Sequence, residues 1–184
     1  MFPDVIPARG RLTRRWAKAT MFSRIRGSLL VLLGLALVAH GAPISTEGGW
    51  FVATAQENGN EVVYRIRGVL PSSNVVAEYP LLATVEWPYT ARENGMPEPK
   101  VAREQYEFED AIESKVESSG ACIQAFTRTG NGKRQWKYYV SDKQGFVRRL
   151  EEIKSRSPGL QFSVSFEADP TWGALTELQN AAHK

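Results

Sequence analysis

Histidine and cysteine are nearly missing from this chain of 184 residues, and the shortage removes whole classes of chemistry. The only histidines are His40, in a leader-like segment, and His183, next to the last residue. The body of the chain therefore has no base for a Ser-His-Asp triad or a Cys-His pair, and no imidazole for a zinc site. Cys122 is the only cysteine, so no intramolecular disulfide can staple the fold. It falls in a strand-like run, where a small core hydrophobe is expected and a nucleophile is not. No Ser-x-x-Lys pair occurs, which excludes one more nucleophile arrangement. Long apolar stretches are lacking too. The run from Ser28 to Ala39 has 12 residues, short of the roughly 20 that span a bilayer as a helix.

Positive charge is scarce where the pI of 9.1 would suggest plenty. Arg9, Arg11, Arg14, Arg15, Lys18, Arg24 and Arg26 lie within residues 1–41, against one acid, Asp4. Removing them from the totals of 23 basic and 20 acidic residues leaves 16 and 19, a formal net charge of −3 from Ala42 onward. Such a body has no general attraction for phosphate backbones, and no nucleic-acid partner is expected.

Residues 1–41 have the layout of a secretory signal: a basic stretch after Met21, the apolar run, then Ala39-His40-Gly41 with small residues flanking a cut before Ala42. Export is expected, with the mature protein periplasmic or secreted and a membrane association only through an uncleaved leader. Met21 by itself begins a complete signal. Either the true start is Met21, or Thr13–Lys18 ("TRRWAK") imitates a twin-arginine signal; the distance of the arginine pair from the apolar run favours the first.

Residues 42–49 ("APISTEGG") form a tether, and residues 50–184 a single domain. Runs at Trp50–Gln56 and Glu61–Gly68 flank Asn58-Gly59, a hairpin signal because a type I′ turn needs positive φ at both central positions. Pro71–Asn74 reads as a loop and Leu81–Trp87 as a third strand. Phe108, Ile112 and Val116 recur every fourth residue and predict a helix over 101–118, with Glu109, Glu113 and Glu117 on a solvated face. Strands at Ala121–Thr129 and Arg134–Val140 join through Gly130–Lys133, whose spacing is not that of a P-loop. A second helix, capped by Ser141 or Asp142, runs to Ser157-Pro158-Gly159. Leu160–Glu167 alternates strictly, apolar on one face and polar on the other. Asp169 and Pro170 then suit the N-cap and first position of a terminal helix. The order after the hairpin, β-α-β-β-α-β plus a helix, predicts an α+β ferredoxin-like sandwich.

In that topology the third and fifth strands are antiparallel neighbours. With Trp87, Trp136 and Tyr138 toward the helices, the other face carries Thr84, Glu86, Lys137 and Tyr139, beside Gln161, Ser163, Ser165 and Glu167. Glu86, Lys137 and Tyr139 are the candidate partner-binding residues if that face is not covered by the hairpin or simply by water. It lacks the aromatic pairs and positive charge of an RNA-binding sheet.

Several pieces, in order, resemble the domain of unknown function 695 family of bacteria. They are the Trp50 hairpin, Tyr79-Pro80, Gly95-Met96-Pro97, Phe108-Glu109-Asp110, the Gly132-x-Arg134-x-Trp136-x-Tyr138-Tyr139 strand and Asp169-Pro170-x-Trp172. The resemblance spans nearly all of the mature chain and implies a ferredoxin-like fold, with no established activity and no catalytic positions to carry over. More distantly, the element order and the closing Asp–Trp segment are similar to the regulator of ribonuclease activity B family, whose members inhibit an RNA-degrading enzyme by binding it; that cytoplasmic setting conflicts with a cleaved signal. Two functions follow as expectations. One is an exported, non-enzymatic binding or inhibitory module that uses the sheet face or hairpin edge against a protein or small ligand, without cofactor or metal. The other is a cell-envelope hydrolase with Glu86 and a second acid as acid–base pair.

Overall fold

The structure, a computed structural model, describes residues 49–157 and 159–183. The leader, residues 42–48 of the tether, Pro158 and Lys184 lie outside the described residues. In chain order the elements are β1 (Trp50–Glu57), β2 (Asn60–Arg67), α1 (Ser73–Glu78), β3 (Leu81–Pro88), α2 (Pro99–Lys115), a 3-10 turn (Glu117–Ser119), β4 (Cys122–Gly130), β5 (Lys133–Val140), α3 (Lys143–Arg156), β6 (Ser163–Ala168) and α4 (Gly173–Ala182).

Two Asn-Gly turns set the sheet. Asn58 and Gly59 sit at φ 51° and 80°, Asn131 and Gly132 at 51° and 75°, the type I′ geometry whose twist matches the strands it joins. The Asn131 side chain bridges the two tips, accepting from Asn60 Nδ2 at 2.9 Å and donating to the Glu57 carbonyl at 3.0 Å. Six strands form one antiparallel sheet in the order β1-β2-β4-β5-β3-β6. The first hairpin does not fold over a sheet face. It lengthens the sheet, because β2 pairs with β4 from Val63–Thr129 to Ile66–Phe126.

Alternation along the strands makes two cores. One face buries Ala83, Val85, Trp87, Trp136, Tyr138 and Val140 against Phe108 and Ile112 of α2 and Phe146, Leu150 and Ile153 of α3. The opposite face buries Phe51, Val62, Tyr64, Ile66, Leu82, Phe126 and Tyr139 under Trp172 and, on α4, Leu175 and Leu178. That second layer covers only part of its face.

Several boundaries differ from those expected. α1 stands where a loop was expected; its six residues are too few for periodicity, and none is buried. α2 starts two residues earlier, with Pro99 at its first turn, and the chain tightens into the 3-10 turn where a longer helix was expected. Leu160 and Phe162 pack on the core but precede β6.

The largest shift is at the last helix, which begins at Gly173, not at Pro170. Asp169 still caps it, from further back: Oδ1 accepts from the Gly173 amide at 2.7 Å and Oδ2 from the Ala174 amide at 3.0 Å. Between them Trp172 takes φ 57°, a left-handed conformation that costs a bulky residue about 1–3 kcal/mol. Its surroundings hold it there. The indole is fully buried, stacks on Tyr139 at 3.9 Å between ring centroids, and donates Nε1–H to the Tyr79 carbonyl at 3.1 Å.

Candidate functional site

Cross-strand register assembles the polar part of the second sheet face. Glu86 lies opposite Gln135 on β5 and Ser163 on β6; Thr84 lies opposite Lys137 and Ser165. These residues, with Phe166 and Glu167, line an open depression of about 400 Å³. The Gln135 amide donates to Glu86 Oε2 at 2.6 Å, and Lys133 Nζ lies 3.4 Å from the same oxygen. Lys137 Nζ is 3.8 Å from Glu167. Burial pushes the Lys137 ammonium below its usual 10.5, while Glu167 and Glu86 oppose the shift. A largely buried cation beside Glu167 and near Glu86, with amide and hydroxyl groups around it, is a hydrogen-bonding surface on rigid strands.

Two of the three candidate residues, Glu86 and Lys137, belong to this depression. Tyr139 shares the sheet face but not its open part. It is buried under Trp172, its hydroxyl donates to Asp169 Oδ2 at 2.7 Å, and burial and that bond push its pKa up. Strand parity fixed its face correctly; parity is blind to a helix returning from later in the chain.

The row continues toward the hairpin. Gln135 lies opposite Arg128, which lies opposite Tyr64. Arg128 forms an ion pair with Glu57, and the Tyr64 hydroxyl donates to the same carboxylate at 2.7 Å. Burial alone would raise the Glu57 pKa, but the bonds from Arg128 and Tyr64 prevail and hold it below 4.5.

Glu109 departs from the expected solvated acid face of α2, on which Glu113 does lie exposed. Glu109 is buried on the opposite side of the sheet and pairs with Arg134. It also accepts from Trp136 Nε1 at 3.0 Å, Gln124 Nε2 at 3.1 Å and Arg65 Nη1 at 3.2 Å. Four donors from β2, β4 and β5 compensate a charge that could not otherwise leave water. A sequence signal existed. Gln105, Glu109 and Ile112 keep the 4-then-3 spacing of the buried stripe, one step around from Phe108.

Among the described residues no group of three or more His, Cys, Asp or Glu is placed to hold a metal. Cys122 is buried, and burial pushes its thiol pKa well up. No helix among the described residues is long and apolar enough to cross a membrane.

The motif pieces therefore meet in pairs. Tyr79-Pro80 receives Asp169 and Trp172, and Glu109 receives Arg134 and Trp136. An antiparallel α+β protein whose motif residues lock its own architecture is the class that this fold and site define. Residues 48–178 match the family described as a family of unknown function (DUF695), and the chain belongs to that family. No curated protein and no solved structure was found to match it. The likeness to the regulator of ribonuclease activity B family gains nothing from these comparisons.

Proposed function

We propose that the protein is an exported, non-enzymatic binding or inhibitory module that holds a protein or small-ligand partner on the polar half of its second sheet face. One observation carries this reading. The depression around Glu86, Gln135, Lys137 and Glu167 keeps a charged cluster open on rigid strands, whereas the Glu109 carboxylate is buried among four donors and Asp169 is bonded to Tyr139 and the start of α4. A ferredoxin-like arrangement of β3 to β6 is part of the proposal. Its support is the order β4-β5-β3-β6, with α2 and α3 packed on one face. The leader layout supports export, to the periplasm or outside.

The test is affinity capture from the envelope fraction with the wild-type protein and with Glu86→Gln and Lys137→Met variants, alongside mass analysis of the mature N-terminus. Loss of one captured partner in both variants, in protein that starts near Ala42, is the expected result. Equal capture by all three proteins defeats the sheet-face assignment, and a mature protein retaining its leader defeats export. Glu86 and Glu167 line one depression, so the same variants also test the hydrolase: turnover abolished in Glu86→Gln would replace the binding module by an enzyme.

A further inference from the structure

Three Asn-Gly steps occur in the chain, at Asn58-Gly59, Asn94-Gly95 and Asn131-Gly132. Such a step is open to an intramolecular reaction, since glycine has no Cβ to shield the amide nitrogen that follows the asparagine. That nitrogen attacks Cγ of the asparagine side chain. The Cγ–Nδ2 bond breaks, and ammonia leaves with the proton of the glycine N–H. Water then opens the cyclic imide at either carbonyl, giving aspartate or isoaspartate. The reaction needs a free nitrogen, a free side-chain amide and room to close the ring, and the three steps differ in all of these. At the second hairpin tip, Asn131 Nδ2 donates to the Glu57 carbonyl at 3.0 Å and Oδ1 accepts from Asn60 Nδ2 at 2.9 Å, while the Gly132 amide donates to the Gly95 carbonyl at 3.4 Å. In the loop before α2, Asn94 Oδ1 accepts from the Met96 amide at 3.2 Å, and the amide of buried Gly95 donates to the Arg92 carbonyl at 2.8 Å. Asn58 and Gly59 are both exposed, and among the described residues no hydrogen bond holds the Asn58 side chain or the Gly59 amide. A side-chain carbon placed on Gly59 would meet nothing within 4 Å; on Gly95 it would lie 3.0 Å from Asn60 Cβ, and on Gly132 3.2 Å from the Tyr89 carbonyl oxygen.

We infer that Asn58 is a modification site of this protein, converted by its own backbone through a cyclic imide to isoaspartate and aspartate, while the fold protects Asn94 and Asn131. The product acts on the turn that holds it. Isoaspartate inserts a methylene into the backbone of a two-residue turn, and the length of that turn fixes the register of β1 on β2. Opening of the imide also leaves a new carboxylate one residue from Glu57, which is already bonded to Arg128 and Tyr64. The modification therefore loosens the hairpin tip, where Asn60 joins Asn131.

The inference rests neither on the polar depression nor on export. Ageing the full chain in mildly alkaline buffer, once native and once unfolded in urea, tests it; peptide mapping by mass spectrometry then follows the three sites, and an isoaspartate-specific methyltransferase labels the product. In the native chain Asn58 should react at least about 10-fold faster than Asn94 or Asn131, whose amides must first give up their hydrogen bonds. In urea, where those bonds are gone, the three rates should converge. Equal native rates, or a faster Asn94 or Asn131, overturn the inference. So does an Asn58 that stays intact in the native chain while the unfolded chain reacts. Asn58→Asp carries the new charge without the extra methylene, so the aged isoaspartate fraction should melt below that variant. An isoaspartate fraction that melts with Asn58→Asp or above it overturns the effect on the turn.

Discussion

The two faces of the sheet hold acids in opposite ways. Under α2, Glu109 is buried and surrounded by Arg134, Arg65, Gln124 and Trp136, so its negative charge is part of the packing. Across the sheet, Glu86 takes a bond from Gln135 and an ion pair from Lys133 yet still borders an open depression. Between these extremes stand Glu57 and Asp169, partly covered by the hairpin tip and the start of α4. The same side-chain chemistry serves architecture where donors saturate it and remains free for a partner where they do not.

Breaking the buried member should have the largest effect. Glu109→Ala leaves the buried Arg134 guanidinium without its carboxylate, and removing one partner of a buried pair costs about 3–5 kcal/mol. Urea denaturation should register that loss. Glu109→Gln should lose less, since its amide oxygen can still accept from Trp136. A loss below about 1 kcal/mol in Glu109→Ala would mean that the cluster is solvated and the contrast between the faces is false.

Asp169→Ala comes next. It removes the acceptor of two helix amides and of the Tyr139 hydroxyl. Losing a cap costs about 0.5–2 kcal/mol, and the orphaned tyrosine hydroxyl places the expected value at the upper end. Asp169→Asn, which keeps one acceptor oxygen, should recover part of it. Both effects should appear as a lowered thermal midpoint.

These sites also mark how far the sequence could be read. Strand positions, both Asn-Gly turns and the alternation of Leu160–Glu167 follow from local chemistry and period, and the placing of β3 beside β5 follows from the order of elements. The family could be recognised from ordered motif pieces, since each is a short string. What escaped reading depends on tertiary return. Glu109 sits at spacings that fit both a solvated and a buried stripe, and only the donors on β2, β4 and β5 decide between them. Tyr139 was placed on the correct face, yet Trp172, from much later in the chain, is what covers it. Asp169 was recognised as a cap, but Trp172 in a left-handed conformation moves the helix start, and no propensity announces that for tryptophan.

A pH titration refines the middle of the comparison. Glu57 is held below its ordinary 4.5 in the folded chain, so as pH falls the unfolded chain binds that proton first. The stability it contributes is complete above about pH 4.5 and is lost as pH falls through the folded value. Tyr64 and Tyr139 are raised above 10.0, so the unfolded chain ionises first on the alkaline side and stability declines above that pH. Glu57→Gln should flatten the acid limb measured by urea denaturation and leave the alkaline limb from Tyr139 in place. An unchanged acid limb would assign acid sensitivity to other carboxylates.

The smallest expected effect on stability belongs to Glu86→Gln, and the contrast between the faces needs it to be small. Gln keeps the shape and an acceptor for Gln135, and loses only an ion pair with a partly exposed lysine, an interaction of about 0–1 kcal/mol. Its thermal midpoint should stay close to that of the wild type while partner capture falls. If instead Glu86→Gln destabilised the protein as strongly as Glu109→Ala, the open depression would be one more structural cluster. The polar face would then have no residue left over for a partner.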